Sequence, residues 1–143
     1  MQTLFESKQE NFTISTDPAR LDLDVICGFL ARSYWAIERT RERIERSIAN
    51  SLVFGMYDGT RQIGLARVVT DYATFAWLCD VFIDEVYRGK NFGKWLMESV
   101  LSHPDLQGLR RFLLATRDAQ GLYAQFGFES LKNPERWMQR YNK

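Results

Sequence analysis

Residues 75–101 constrain the fold of this chain more than any other part of the sequence. Residues 75–83 are apolar on both faces of an extended segment, which indicates a strand buried in the middle of a sheet. A basic turn that contains Gly89 and Gly93 follows, and apolar side chains then recur at helical spacing over residues 92–101. A central strand that continues into a helix is typical of a β-α-β crossover, so we expect a sheet with helices packed on its faces.

The remaining periodicities place the other elements around this unit. The second helix has one apolar stripe, formed by Ile37, Ile44 and Ile48. Hairpins precede crossovers along the chain, which predicts the α/β (α+β) class with a single mixed, mostly antiparallel β-sheet flanked by helices. The predicted elements are an N-terminal hairpin from residues 3–7 and 12–15, helices over about 22–32, 37–49 and 118–125, and strands at 52–57, 62–69, 112–115 and 128–131.

Composition and charge exclude several classes of protein. The chain has 143 residues, close to the roughly 150 residues of one domain, so we expect residues 1–143 to form a single domain. Nineteen basic against eighteen acidic residues leave a formal charge of +1, which provides no basic field for a nucleic-acid partner. No apolar run approaches the roughly 18 residues of a membrane span, and no signal peptide is recognisable. We therefore expect no membrane association and a cytoplasmic location.

The cysteines and the single histidine form no recognisable metal site. Cys27 and Cys79 lie far apart within apolar stretches, and we interpret them as reduced core residues. His103 stands beside Pro104, and a zinc site draws on more cysteine and histidine ligands than these. We therefore expect a protein without a metal.

The turn between the central strand and its helix has the features of an anion site. Successive backbone N–H groups at a helix start point at one spot, and the helix dipole adds to their positive potential. Gly89 and Gly93 allow a ligand to approach the backbone closely, while Arg88, Lys90 and Lys94 add positive charge. An alternative stays open, in which these residues form an ordinary strand-to-helix turn with a charged surface.

Spacing excludes two common phosphate-binding motifs at this turn. A Walker A loop has four residues between its glycines, whereas three residues separate Gly89 from Gly93. Such a loop also continues with Lys-Ser or Lys-Thr, whereas Trp95 follows Lys94. The same spacing departs from the G-x-G-x-x-G fingerprint of dinucleotide-binding proteins.

A second segment gives this turn a family context. Residues 122–128 read Leu-Tyr-Ala-Gln-Phe-Gly-Phe and follow a short buried strand. This segment matches the Leu-Tyr-x-x-x-Gly-Phe motif of the GNAT superfamily of N-acetyltransferases. Residues 88–93 match the same family's Arg/Gln-x-x-Gly-x-Gly/Ala motif, with Asn91 in place of the first glycine of that pattern. The chain therefore resembles the GNAT superfamily over roughly residues 50–142.

The resemblance implies an acyl-CoA N-acyltransferase fold that uses acetyl-CoA as a co-substrate. Family members bind acetyl-CoA between two parallel central strands that splay apart, here within residues 77–83 and 112–116. The resemblance also places Thr116 beside the pantetheine arm, where many members carry an asparagine. It further implies main-chain contacts to the arm and the acetyl group from Val81, Phe82 and Ile83, and a pyrophosphate cradle formed by Arg88, Gly89, Lys90, Asn91, Phe92, Gly93 and Lys94.

The family reaction is a direct transfer in which an amine attacks the thioester and the thiolate of CoA leaves. A backbone N–H near Val81 would stabilise the developing oxyanion. Tyr123 matches the family tyrosine that acts as general acid, and a phenol with a pKa of about 10 is suited to protonating a thiolate. The alternative for Tyr123 is a packing role within its helix.

The acceptor amine must lose a proton, and Asp80 is the candidate base. Its apolar neighbours, Trp77 among them, are expected to raise its pKa, and its carboxylate could also hold a cationic amine. The alternative is a structural carboxylate that pairs with Arg67 or another arginine. Arg67 and Asp71 are weaker candidates for the same pocket.

By the same resemblance, the N-terminal helices and the loop between them select the acceptor. Tyr34 and Trp35 in this loop either wall a small cation by cation–π contact or cap the core. Residues 137–141 pack either onto the domain or onto a second copy in a homodimer.

We expect an acetyl-CoA-dependent N-acetyltransferase that acts on a small primary amine. A protein acetyltransferase that modifies an N-terminus or a lysine is ranked lower, because no insertion for peptide binding is evident. A non-catalytic acyl-CoA-binding module is the third possibility, and the intact Tyr123 argues against it.

Overall fold

The computed structural model describes residues 3–142 and contains one six-stranded sheet. All neighbouring strands are antiparallel except β5 and β6, which are parallel. This arrangement confirms the predicted mixed, mostly antiparallel sheet. In chain order, which is also their order in the sheet, the strands are β1 Glu6–Gln9, β2 Phe12–Ser15, β3 Leu52–Asp58, β4 Arg61–Thr70, β5 Phe75–Ile83 and β6 Arg111–Leu114.

Helices cover both faces of this sheet. Leu96 and Met97 lie in the apolar layer on one face, while Phe29 and Ile44 pack with Phe82 of β5 in the layer on the other. None of the helices within residues 3–142 combines the length and the apolar character needed to cross a bilayer. The helices are α1 Leu23–Ala31, α2 Arg41–Ala49, α3 Phe92–Ser102 and α4 Gln120–Ala124, with 3-10 turns at Pro18–Arg20, Glu85–Tyr87, Pro104–Leu106 and Pro134–Arg136.

β5 and β6 separate part of the way along β5. Phe75 lies opposite Arg111 and Leu78 lies opposite Leu114, and the pairing ends there although β5 continues to Ile83. This separation confirms the prediction that two parallel strands splay apart. Within residues 3–142 it leaves the second half of β5 with a free edge, because β4 occupies only its other side.

A β-bulge lies at the point where the two strands separate. Leu65 of β4 is opposite Phe82 and Arg67 is opposite Cys79, so β5 has one more residue than β4 between these pairs. Asp80 lies in the bulge with a φ of 53°, a left-handed conformation that aspartate adopts more readily than most residues. Bulges change the direction of side chains and commonly lie beside functional sites.

The second helix begins later than predicted. The structure places its start at Arg41 rather than residue 37, because the Thr40 hydroxyl caps it by accepting a hydrogen bond from Arg43 N at 3.2 Å. Ile37 is therefore outside the helix and 65% exposed, so its predicted place in the apolar stripe is wrong.

The predicted last strand at residues 128–131 is also wrong. Phe128 packs edge-on against the rings of Phe112 and Tyr123, but the three residues after it are exposed and form no ladder with β6. Gly127, with a φ of 89°, turns the chain just before this segment. As a result β6 is an edge strand of the described sheet. Trp137 packs over Arg111 of the same chain, with 5.2 Å between the guanidinium group and the ring centroid.

Candidate active site

A cavity of about 820 Å³ opens where β5 and β6 separate. Its walls come from the loop after α1, the second half of β5, the turn into α3 and the segment that leads into α4. Both segments that carry the sequence motifs therefore contribute to one space. Of the residues predicted to bind the cofactor, residues 81–83, 88–89 and 91–94 line it.

The turn into α3 carries a run of unpaired backbone donors. Gly89 has a φ of 84° and Asn91 a φ of 62°, so the chain curls through two left-handed residues before the helix. No acceptor among residues 3–142 is hydrogen-bonded to the N–H groups of residues 89–94, and the first bond of the helix runs from Trp95 N to Asn91 O at 3.1 Å. Unpaired N–H groups at the start of a helix are suited to binding an anion.

The basic residues of the turn contribute unequally. The Arg88 side chain folds back onto β5, where its Nε donates to the Ile83 carbonyl at 2.9 Å and its guanidinium lies 5.0 Å from the Phe82 ring centroid. Lys94 lines the cavity, whereas Lys90 is exposed and is not part of the wall. The predicted contribution of Lys90 is therefore limited to long-range charge.

Tyr123 is buried in the cavity wall, with only 8% of its surface exposed. Its ring packs edge-on against Phe128 at 6.0 Å between centroids. Burial raises the pKa of Tyr123, and the nearby Tyr34 hydroxyl raises it further. The phenol therefore remains protonated, and its O–H is available because it has no hydrogen-bond partner within residues 3–142.

Asp80 accepts hydrogen bonds from three side chains, two in the loop after α1 and one on β4. One carboxylate oxygen, Oδ2, accepts from Arg39 Nη1 at 2.7 Å and from Arg67 Nε at 2.8 Å. The other, Oδ1, accepts from the indole Nε1 of Trp35 at 2.8 Å. The Asp80 side chain is 2% exposed, so this cluster forms a buried anchor between β4, β5 and the loop after α1.

The expectation that apolar neighbours raise the pKa of Asp80 is wrong. Burial does favour the protonated form, but hydrogen bonds and charge from Arg67 and Arg39 outweigh it, so the pKa of Asp80 is lowered. The neighbours in sequence are apolar, whereas the charged partners come from an adjacent strand and a distant loop. This geometry corresponds to the alternative of a carboxylate paired with arginine.

The loop after α1 reaches across the cavity to the segment before α4. Tyr34 and Trp35 both line the cavity and remain 48% and 39% exposed, so they do not cap the core. The Arg117 guanidinium lies 3.8 Å from the Tyr34 ring centroid, and the Arg117 backbone N–H donates to the Tyr34 hydroxyl at 3.2 Å. We call this contact the Tyr34–Arg117 bridge.

Several predicted residues lie outside the cavity wall. Asp71 accepts four hydrogen bonds in the β4–β5 turn, which lower its pKa and place it at the end of β5 away from the cavity. Trp77 is 45% exposed on β5, in the half that pairs with β6. The Thr116 hydroxyl accepts from Ala119 N at 3.1 Å, so it shapes the segment before α4. Arg67 acts through its pairing with Asp80.

The sequence analysis missed residues that reach the cavity from a distance. Arg32 lines it and forms a two-pronged ion pair with Glu85, with Nε–Oε2 and Nη2–Oε1 distances of 3.0 Å. The hydrogen bond from Arg32 lowers the pKa of Glu85 to about 2. Arg117 also lines the cavity, whereas Arg39 is connected to it only through its bond to Asp80. No local motif marks any of these arginines, and only the folded chain brings them to the site.

The described part of the chain contains no group of three or more histidine, cysteine or carboxylate side chains that could hold a metal ion. His103 is fully buried and pairs with backbone, since Nδ1 accepts from Asp105 N and Nε2 bonds Thr3 O, both at 3.0 Å. The cavity itself presents backbone donors, guanidinium groups, the Lys94 amine, the Asp118 carboxyl group and a phenol.

Comparisons with known proteins agree with this geometry. The model of the acetyltransferase (GNAT) family matches residues 8–128. A Gibberella zeae protein provisionally named an acetyltransferase is 31% identical over 147 residues, which cover 83% of this chain and 82% of that protein. A crystal structure from Xanthomonas campestris pv. campestris, provisionally assigned as an acetyltransferase of the same family, is 46% identical with a TM-score of 0.89 and covers 92% of this chain and 93% of its own.

A more distant structure shares the fold alone. A Clostridium acetobutylicum protein solved with acetyl-CoA is 9% identical, with a TM-score of 0.64, and the match covers 99% of this chain and 96% of that chain.

Proposed function

Since this chain belongs to the acetyltransferase (GNAT) family and is thereby an acyltransferase, we propose that it transfers the acetyl group of acetyl-CoA to the amine of a small molecule. One observation carries the proposal. Three features meet in one cavity: the N–H groups of residues 89–94, which are unpaired within residues 3–142, the free edge of β5 and the buried Tyr123 phenol. These are an anion site, a site for an extended chain and a proton donor.

The residues of the turn fit the diphosphate of coenzyme A. A Cβ on Gly93 would approach nothing closer than Leu122 Cδ2 at 3.9 Å, so the protein itself does not require glycine at this position. The space in front of the backbone is therefore free for a ligand, and the neighbouring N–H groups and Lys94 supply complementary charge.

The free edge of β5 fits the amide-containing arm that follows the diphosphate. Residues 81–83 line the cavity on the side where β6 has separated from β5. An extended ligand can pair with such an edge as an added strand would, through main-chain hydrogen bonds. We assign the contacts of the arm and of the acetyl group to this segment.

Tyr123 is proposed to protonate the departing sulfur. When bound, acetyl-CoA supplies the thioester: the amine nitrogen bonds to the acyl carbon, the carbon–sulfur bond breaks, and the Tyr123 O–H gives its proton to the sulfur. Because burial raises the pKa of Tyr123, the phenol holds that proton throughout the neutral range. The Tyr123 hydroxyl forms no hydrogen bond within residues 3–142 that would compete with this proton transfer.

The proton of the attacking amine is assigned to solvent water rather than to Asp80. A carboxylate with a lowered pKa and three donors already bound is a weak base. Asp80 instead positions Trp35 in the cavity wall and holds Arg39 behind it.

The Tyr34–Arg117 bridge favours a small acceptor over a protein segment. It joins two walls of the cavity, so an extended peptide has no continuous groove across this region. Mass spectrometry of a cell lysate incubated with the protein and labelled acetyl-CoA separates the two classes. Label in small molecules supports the proposal, and label in protein lysines or N-termini contradicts it.

Isothermal titration with acetyl-CoA, followed by a thiol-release assay over a panel of primary amines, tests the proposed function. We expect saturable binding and amine-dependent release of CoA. A Gly121→Ala variant serves as the matched control, because Gly121 lies outside the cavity wall and a Cβ there meets nothing within 4 Å. A protein that binds no acetyl-CoA would refute the proposal, and one that binds it but releases no thiol would be a binding module.

A further inference from the structure

We propose that the acceptor amine carries a carboxylate, and that Arg39 and Arg67 bind this carboxylate beside Trp35. The proposal rests on the proposed function and names the chemical class of its second substrate. Its starting point is a charge imbalance at the Asp80 cluster, where two guanidinium groups share one carboxylate.

The single carboxylate of the cluster neutralises only one of its two guanidinium groups, so one positive charge remains. Arg39 and Arg67 both contact the same oxygen of Asp80, and among residues 3–142 neither forms an ion pair with any other acidic side chain. The carboxylate is 2% exposed, whereas the side chains of Arg39 and Arg67 are 22% and 12% exposed. The negative group is therefore buried, and the positive groups are the ones that solvent or a ligand can reach.

Both arginines have N–H groups that no acceptor within the described chain uses. Arg39 uses only Nη1, so its Nε and Nη2 groups have no acceptor within the described chain. Arg67 donates from Nε to Asp80 and from Nη1 to the Ser51 hydroxyl at 3.0 Å, which leaves its Nη2 without an acceptor there. A carboxylate accepts such donors with charge-assisted hydrogen bonds that are stronger than those between neutral groups.

The same charge balance argues against a cationic group on the acceptor near Asp80. The Asp80 charge is already met by two guanidinium groups, so an approaching ammonium would face net positive charge. The sequence suggested that Asp80 holds a cationic amine. The charge balance instead favours an anionic group on the acceptor.

The cluster adjoins the proposed reaction centre, although Arg39 and Arg67 stand outside the cavity wall itself. Trp35, which bonds Asp80, lines the cavity, and so does Val81, the residue that follows Asp80. Tyr34 precedes Trp35 and is close enough for its hydroxyl to influence the pKa of Tyr123. An acceptor with its carboxylate on the arginines would extend its amine past the Trp35 ring into the cavity.

Matched acceptors that differ only in charge test this assignment. Wild-type protein is assayed by thiol release with glycine, β-alanine, 4-aminobutanoate and phenylalanine, each against its own carboxamide. We expect kcat/KM for at least one carboxylate to exceed that for its carboxamide by tenfold or more. Equal or faster turnover of every carboxamide overturns the inference and leaves the acetyltransferase proposal intact.

An Arg39→Gln variant locates the effect. We expect its KM for the preferred carboxylate to rise about tenfold with kcat nearly unchanged, while the carboxamide KM stays the same. Arg39→Lys should recover part of the preference, and Arg43→Gln is the control because Arg43 is exposed on α2 and forms no ion pair within residues 3–142. A carboxylate preference that survives Arg39→Gln intact would overturn the assignment to this cluster.

Calorimetry decides the case in which none of these amines turns over. The same four carboxylates are titrated into protein saturated with CoA. Binding heat that Arg39→Gln abolishes supports the inference, and absence of heat for all four overturns it. Failure to bind acetyl-CoA at all refutes instead the proposed function on which the inference rests.

Discussion

The turn at residues 88–94 lines the cavity, the Asp80 cluster adjoins it through Trp35, and the two regions are built by different means. The turn presents backbone N–H groups that have no partner among residues 3–142, while Arg88 folds back onto β5 and Lys90 is exposed. The cluster presents side chains whose carboxylate is fully engaged by three donors. The contrast teaches that one side of this site depends on the path of the main chain and the other on charge balance among distant residues.

The largest expected effect is at Tyr123, which lines the same cavity as the turn. Replacing it by phenylalanine removes the proposed proton donor and little else. We expect kcat to fall by roughly 10²–10⁴-fold, the usual range for general acid–base catalysis, with the Kd for acetyl-CoA nearly unchanged. Thiol release and titration calorimetry measure the two quantities. An unaltered kcat would show that Tyr123 has a packing role only.

Asp80→Asn tests whether the cluster is a structural anchor. The substitution keeps the shape and the tolerance for left-handed φ but leaves two largely buried guanidinium groups without a counter-charge. Removing one partner of a buried ion pair typically costs about 3 kcal/mol, so we expect the free energy of unfolding to fall by about that amount. Urea titration measures it. A loss well below about 1 kcal/mol would contradict the anchor.

Gly93→Val tests the opposite side of the comparison. A Cβ at this position makes only an ordinary contact with Leu122 Cδ2 at 3.9 Å, so the fold should tolerate the side chain while the diphosphate is displaced. We expect at least a tenfold rise in the Kd for acetyl-CoA, or about 1.4 kcal/mol, with a melting temperature within a few degrees of wild type. Gly121→Ala should leave the Kd unchanged. Tight binding by Gly93→Val would place the diphosphate elsewhere.

The two regions should also differ in their response to acid. The pKa of Asp80 is lowered below 3.8, so its contribution to stability is complete above that value and is lost as pH falls through the folded-state pKa. Below pH 4, one proton taken up on unfolding lowers stability by at most about 1.4 kcal/mol per pH unit. Urea titrations at pH 5 and pH 3 should show a smaller loss for Asp80→Asn than for wild type. Equal losses would contradict this account.

The smallest expected effect concerns the left-handed residue Asn91. Asparagine adopts this conformation more readily than other residues with a side chain, and glycine does so more readily still. We expect Asn91→Ala to lower the free energy of unfolding by about 1 kcal/mol, and Asn91→Gly to leave it unchanged or raise it slightly. Thermal melts of the two variants compare them directly, and identical melting temperatures would argue against a conformational role.

The same contrast explains how far the sequence alone could lead. The turn and the Tyr123 helix are local features, so spacing and two motifs predicted the elements that surround the cavity. The Asp80 cluster joins residues 35, 39, 67 and 80. The pKa of Asp80 is lowered by partners that no local sequence pattern connects to it. Apolar neighbours in sequence pointed to the wrong direction for this shift.

The errors in secondary structure have a similar cause. An apolar residue at position 37 fits the helical period, but the Thr40 cap starts the helix after it. Phe128 has the character of a strand residue, yet its ring is used for packing against Phe112 and Tyr123 while its backbone pairs with no strand of the described sheet. Periodicity measures which side chains are apolar, and it does not record where a cap or a turn ends an element.

The single extra residue in β5 has an evolutionary consequence. Between the pairs Leu65–Phe82 and Arg67–Cys79, β4 supplies only Ala66, so deletion of the Asp80 codon would restore an even register without altering the alternation on either flank. A single in-frame deletion would thus remove both the bulge and the buried carboxylate on which the Asp80 cluster is built.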